Sequence, residues 1–258
     1  MPQIYEIPDG TICGEVKLLL ISLLNPEKMK IEIMEFVEGA RRARGIAVII
    51  DVFRAFSVAC YAADAGAARI IATAEVSDAF KLKKEYKNSV LVGERDEKKI
   101  EGFDFGNSPT EIIKADLTGK TVIHTTTAGT LGLVNAINAD AVLTGSFVNA
   151  SAIIKYIRAV NPENVSLVAM GYRATSSAEE DLMCAEMIAK ELGNEKFISE
   201  ANIGTLKNST GKRFFDPANI DFSPPTDFFL CTMLNRFGFV LKATRRFDGN
   251  VDLMQINM

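Results

Sequence analysis

The chain has 258 residues, 48% of them hydrophobic, and a net charge of −4. It can therefore bury roughly three quarters of its unfolded surface in one or two closely packed domains. A pI near 5.3 gives no long-range field to attract nucleic acid or an anionic membrane. Cys13, Cys60, Cys184 and Cys231 are scattered without a C-x-x-C pair, which fits reduced thiols in a cytoplasmic protein better than a disulfide or zinc framework.

Taken in chain order, the first apolar stretch is Leu18 to Leu24. It is far shorter than the roughly 20 residues of a membrane span, and no signal-type cleavage site follows it. Met29-Lys30-Ile31-Glu32-Ile33 opens an alternating, strand-like pattern, so residues 1–28 are expected to form an N-terminal extension and residues 29–258 the α/β domain. From Gly45 onward, short Val- and Ile-rich runs predict strands at Gly45–Ile50, Ala68–Ala72, Ser89–Val92, Lys120–His124, Ala141–Leu143 and Val165–Met170. Runs that do not alternate are what strands buried on both faces require, so a largely parallel sheet is expected. Ser57–Gly66, Ala-rich and closed by glycine, suits a crossover helix between the first two strands. A final helix and strand are expected within Thr226–Leu241.

Polar residues stand at the ends of these runs: Asp51 and Arg54, Glu94 and Arg95, Thr125 to Thr127, Ser146 and Asn149, and Arg173. In open α/β sheets the ligand crevice lies outside the carboxyl ends of the strands, so these groups are expected to converge. Asp51, Arg54 and Ser57 are spaced three apart at a strand-to-helix turn and would share one side of a helix N-terminus, where anions bind. The competing reading makes Asp51 a helix cap and Arg54 a surface charge. Thr125-Thr126-Thr127-Ala128-Gly129-Thr130 is a second such turn, dense in donors that suit phosphate oxygens. Gly102 to Pro109 reads as an ordered loop presenting Asp104, Asn107 and Ser108. Before the next helix, Ser177-Ala178-Glu179-Glu180 fits a capping box, which assigns Glu180 to capping and leaves Asp181 as a hard oxygen ligand for Mg²⁺.

Absences narrow the chemistry. A single histidine, His124, cannot build a histidine-phosphatase pair or a multi-histidine zinc site. No P-loop, G-x-G-x-x-G or strand-end Asp-x-Asp is present.

Asp51-Val52-Phe53-Arg54-Ala55, Gly93-Glu94-Arg95, the Gly102-Phe103-Asp104-Phe105-Gly106-Asn107-Ser108-Pro109 loop, Thr126-Thr127-Ala128-Gly129-Thr130 and Glu180-Asp181 to Cys184-Ala185 together resemble the 2-phosphosulfolactate phosphatase family in order and spacing over roughly residues 29 to 240. The Phe-Asp-Phe-Gly-Asn-Ser-Pro loop is the most specific element. The resemblance implies a three-layer α/β/α fold with a largely parallel or mixed sheet. It also implies Mg²⁺-dependent hydrolysis of 2-phospho-3-sulfolactate to 3-sulfolactate, a step toward coenzyme M. The chain departs from the family pattern at Ala128, where an Asn is usual, and at Phe56, where a small hydroxyl residue is usual.

On this reading Asp51, Arg54, Arg95 and Thr127 are the catalytic residues. Asp51 with Glu94 or Asp104 holds Mg²⁺, with Asp181 as a further candidate ligand. Arg54 and Arg95 grip the phosphate, while Ser57, Asn107, Ser108, Thr125, Thr126, Gly129, Thr130 and Arg173 complete substrate binding. A metal-activated water or Asp51 itself serves as nucleophile. The partner is a small anionic molecule, a homodimer is compatible with the sequence, and neither nucleic acid nor membrane is expected. The alternatives are a phosphatase of another phosphorylated small acid and a non-catalytic phospho-ligand-binding protein.

Overall fold

The structure is a computed structural model that describes residues 29–195 and 200–258. The stretch read as an N-terminal extension lies outside these described residues. In chain order the elements are β1 Lys30–Glu35, α1 Phe36–Arg42, β2 Ile46–Ile50, α2 Ala55–Asp64, β3 Arg69–Ala72, α3 Val76–Glu85, β4 Ser89–Arg95 and β5 Lys98–Lys99. Next come α4 Pro109–Ile112, β6 Thr121–Thr125, α5 Gly129–Asn135, β7 Ala141–Gly145, α6 Ala150–Val160, β8 Asn164–Ala169 and α7 Glu179–Leu192. The last are α8 Glu200–Thr205, α9 Pro225–Cys231, β9 Phe239–Arg245 and β10 Val251–Asn257. Each non-alternating apolar run therefore became a strand, and the Ala-rich segment became α2.

One ten-stranded mixed sheet joins all the strands in the order β1-β8-β2-β7-β9-β10-β3-β6-β4-β5. β1, β8, β2 and β7 are mutually parallel, as are β3, β6 and β4. Between the two blocks sits the β9–β10 hairpin, paired antiparallel to β7 on one side and to β3 on the other. Three antiparallel pairings in succession make the blocks run in opposite senses. The hairpin turns at Asp248-Gly249, with Gly249 at φ +85°, and β10 was not foreseen from the sequence because its outer positions are polar and half exposed.

Burial follows the pleat. In β2, Ala47 and Ile49 join one apolar cluster while Ile46, Val48 and Ile50 join another on the opposite face. Val90, Val92 and Val122 from the second block share the first cluster with α2, whereas Leu91 and Ile123 turn to a separate cluster under α3. Both blocks thus turn one face onto α2, whose residues Ala55 to Ala62 are all buried. A helix apolar on every side needs such cover all round. The far faces are covered by α6 and α7 on the first block and by α3 on the second.

The wrapping has a consequence for function. A flat sheet would send the carboxyl ends of oppositely running blocks to opposite rims, but curling around α2 brings the end of β2 against the end of β6. Gly129 marks the meeting point: a Cβ there would lie 2.7 Å from Ala55 Cβ and 2.8 Å from Asp51 Oδ2, so only glycine fits. Among the described residues, no helix is long and apolar enough to cross a membrane.

Candidate active site

Asp51 follows the last residue of β2, and its backbone N–H still donates to Gly145 O of β7 at 3.2 Å. Its Oδ1 accepts from Ala55 N at 3.1 Å, in the first turn of α2, while its Oδ2 receives no donor from the described residues. Two further carboxylates lie close by at the start of α7. Asp181 straps the ends of two strands together, its Oδ1 accepting from Val52 N at 2.8 Å and its Oδ2 from Gly171 N at 2.9 Å. Glu180 is 4% exposed, and its Oε2 makes no well-formed hydrogen bond, although the buried Thr210 hydroxyl stands near enough to favour its ionised form.

The capping assignment of Glu180 does not hold. Ala178 is the N-cap of α7 with no side-chain cap bond, and Ser177 Oγ instead donates to Glu35 Oε1. A helix start packed into the core carries its acids inward, so Glu180 meets the other carboxylates instead of reaching back to the cap.

Burial dominates the electrostatics. It pushes Asp51 from 3.8 up to about 7, with the Ala55 N–H pulling the other way and Glu94 and Glu180 adding repulsion. Burial raises Glu180 as well, and raises Asp181 well above the ordinary carboxylate range, with Glu180 and Asp51 adding to the latter effect. The guanidinium of Arg213 counters the shift on Asp51 and Glu180.

Beside these acids, and linked to Asp51 through the charges of Glu94 and Arg213, opens a cleft. One wall carries Glu94, Asn107, Thr127 and Ala128; the other carries Phe53, Gly171, Tyr172, Arg173 and Arg213. Glu94 is spent on ordering that first wall: Oε1 accepts from Thr127 N at 2.7 Å, and Oε2 accepts from Thr127 Oγ1 at 3.1 Å and from Glu97 N at 2.8 Å. Asn107 Oδ1 faces His124 Nε2 at 3.2 Å. Burial lowers His124 to about 4, so the ring is neutral at pH 7 and donates from Nε2 to that oxygen. Arg173 is half exposed and pairs with Asp96 at 2.6 Å across the mouth.

Glu94, Asn107, Thr127 and Arg173 thus line one cleft, while Asp51, Gly129 and Asp181 are buried together beside Glu94, with Gly129 packed against Asp51 Oδ2. Other residues singled out from the sequence have different partners. Arg54 borders the cleft, but its Nη1 donates to Asp227 Oδ2 and to Phe222 O, both at 2.6 Å. Asp227, fully buried, also accepts from Ser108 Oγ at 2.8 Å and Thr110 N at 3.0 Å. Arg54 and Ser108 therefore pin α9 to the turn before α2 and to α4. Arg95 ties strand ends together through Ala74 O, Glu94 O and Thr125 Oγ1. Thr126 and Thr130 bond one another within their own turn, and Ser57 Oγ is shared between Val52 O and Ser146 Oγ inside the core. Asp104 stands away from the cleft, exposed, accepting from Leu91 N at 2.7 Å and pairing with Lys83 at 3.1 Å.

Arg213, Glu180, Tyr172 and Asp227 were missed. Arg213 lies in a polar segment, Thr210–Phe215, with no periodic signal, and Glu180 was hidden by a local explanation that acids at a helix start always invite.

Among the described residues no three acidic, histidine or cysteine side chains are arranged to hold one metal ion. Mg²⁺ asks for less, because one or two carboxylates suffice beside waters and a substrate phosphate. Asp51 Oδ2, free of donors, and Glu180 Oε2, without a well-formed hydrogen bond, meet that lower demand. Glu94 and Asp181 have both oxygens committed, and Asp104 is elsewhere.

Comparison with known proteins identifies the family. The profile of the family described as 2-phosphosulpholactate phosphatase matches residues 32–213. The "Probable 2-phosphosulfolactate phosphatase" of Bacillus subtilis (strain 168) is 32% identical over 214 residues, 81% of this chain and 91% of that protein. A protein so named from Clostridium perfringens (strain SM101 / Type A) is 37% identical over 182 residues, 68% of this chain and 73% of its own length. Another from Caldanaerobacter subterraneus subsp. tengcongensis is 39% identical over 147 residues, 56% of this chain, and the match spans 60% of that relative's length. The chain belongs to the 2-phosphosulpholactate phosphatase family.

Proposed function

We propose that this chain hydrolyses a small acidic phosphate monoester, 2-phospho-3-sulfolactate, to 3-sulfolactate and phosphate with the aid of Mg²⁺. The observation that carries the reading is a pair of polar atoms without a well-formed hydrogen bond, Arg213 Nε on the cleft wall and Glu180 Oε2, buried near enough to that guanidinium to feel its charge. Orphaned buried polar atoms are costly, and a cation beside one with an anion beside the other removes both costs.

Asp51 and Glu180 would hold the metal. Bound there, Mg²⁺ supplies charge neutralisation of the phosphoryl group. The chain's own residues orient and protect the reaction. Thr127 and Glu94 lock the β6–α5 turn into a fixed wall, so the substrate meets a surface that does not reorganise. Phe53, with its ring against Phe214 and Phe228, makes one side apolar and keeps bulk water from it. Burial raises the Asp51 carboxyl in the metal-free chain, and a cation held there would offset that cost and keep it ionised.

The test is phosphate release from 2-phospho-3-sulfolactate, 2-phosphoglycolate and phenyl phosphate, with Mg²⁺ and again with EDTA. The expected result is turnover that favours the acidic esters and is lost on chelation. Binding without any phosphate release would replace the enzyme reading with that of a phospho-ligand sensor, for which Ala128 on the cleft wall is the pertinent departure from the family pattern.

A further inference from the structure

Three arginines border or face the cleft, and they differ in what they have left to offer. Arg54 is 3% exposed and ion-paired with the fully buried Asp227, so its charge is already matched. Arg173 is 49% exposed, paired with a carboxylate that is itself 71% exposed, and screened by water. Arg213 is ion-paired too, with Glu97 at 3.2 Å, but that pair uses only one of its donors. Its side chain is 22% exposed, and its guanidinium has five N–H groups. Nη1 donates one to Glu97 Oε1 at 3.2 Å, and Nη2 donates one to Phe53 O at 3.1 Å. The remaining N–H groups, including the buried Nε, have no acceptor among the described residues.

The group is also held in place before any ligand arrives. Its Cζ lies 5.2 Å from the Phe214 ring centroid and 5.8 Å from that of Tyr172. Behind it, Gly211 lets the segment press against α9, since a Cβ there would stand 2.5 Å from the Phe228 ring and 2.7 Å from Leu206 O. A fixed, largely buried guanidinium with unspent donors in a cleft is a recognition element for an oxyanion.

We propose that Arg213, and not Arg54, is the substrate-binding arginine of this cleft, donating from its guanidinium to an oxyanion of the substrate. This rests on reading the cleft as a phosphomonoester site. The oxyanion belongs either to the phosphoryl group or to the acidic tail, and the two sources separate by experiment.

Calorimetric titration of the wild type, Arg213→Gln and Arg213→Lys with inorganic phosphate, and separately with 3-sulfolactate, decides the matter. Loss of hydrogen bonds to a charged group weakens binding by roughly tenfold or more, so Arg213→Gln is expected to lose at least that for one probe. The probe affected names the oxyanion. Arg213→Lys keeps the charge but not the planar fork and is expected to recover only part of the loss. Binding of both probes within about twofold of wild type by Arg213→Gln overturns the proposal, since that lies far below the cost of a lost charged hydrogen bond. If Arg213→Gln melts too early to titrate, Arg213→Lys decides: a loss beyond about twofold for one probe supports the proposal, and binding of both within about twofold overturns it. A wild type that binds both probes yet releases no phosphate from 2-phospho-3-sulfolactate sinks the hydrolytic reading alone, and the titrations still judge Arg213. A wild type that binds neither overturns both.

Discussion

Asp51 is where sequence, burial and chemistry meet most closely. It ends a strand buried along its whole length, caps the next helix through one oxygen and leaves the other without a donor. Capping and ligand binding, which the sequence set against each other, do not compete for the same atom, since the Ala55 N–H takes one oxygen and leaves the other open. Its raised pKa also makes a stability statement. Between about 3.8 and about 7 the folded chain binds a proton that the unfolded chain does not. The stability due to protonation is thus complete below the lower value and is lost as pH rises through the upper one. Asp51→Asn keeps the oxygen that accepts from Ala55 and removes the charge. In metal-free buffer it should stabilise the protein at pH 8 by on the order of a few kcal/mol, at about 1.4 kcal/mol per pKa unit, and much less at pH 4. Thermal melts at the two pH values check this, and a variant that melts lower than wild type at pH 8 would show that Asp51 is not penalised by burial.

Elements were legible to the extent that their burial forced a pattern. β2 had to be apolar at every position because α2 covers one face and α6 and α7 cover the other, and the same demand exposed β4, β6 and β8 in the sequence. β10 faces partly outward, so Val251 to Asn257 mixes polar and apolar residues and gave no comparable signal. At the site, the strand-end acids and the Thr-rich turn were visible because strand ends are where such residues have no structural excuse. Arg213 was not, because its role depends on a segment that Gly211 alone lets approach α9. Arg54 shows the converse: a conspicuous charge beside the cleft whose partners are structural. Arg54→Ala would strand the carboxylate of Asp227 in the core, and breaking a buried pair from one side costs roughly 3–5 kcal/mol. Arg54→Met with Asp227→Leu should cost distinctly less, since no charge is left alone. Urea unfolding of the single and paired variants measures the difference, and equal losses would contradict the strut role.

At the scale of the molecule, the expectation of one carboxyl rim was too simple. The β9–β10 hairpin reverses the second block, and the sheet must curl around α2 before the ends of β2 and β6 can meet at Gly129. No local pattern encodes that, because strand order is set by long-range pairing. The curl buries the carboxyls of Asp51, Glu180 and Asp181 together, near the Arg213 guanidinium that lines the cleft with Thr127. The most direct test is the rate of phosphate release from 2-phospho-3-sulfolactate under saturating Mg²⁺ by the wild type and by folded Asp51→Asn in parallel. If Asp51 holds the metal as proposed, its loss should lower the rate by about a thousandfold or more while the variant stays folded. Equal rates from the two proteins would show that the chemistry does not take place at the end of β2.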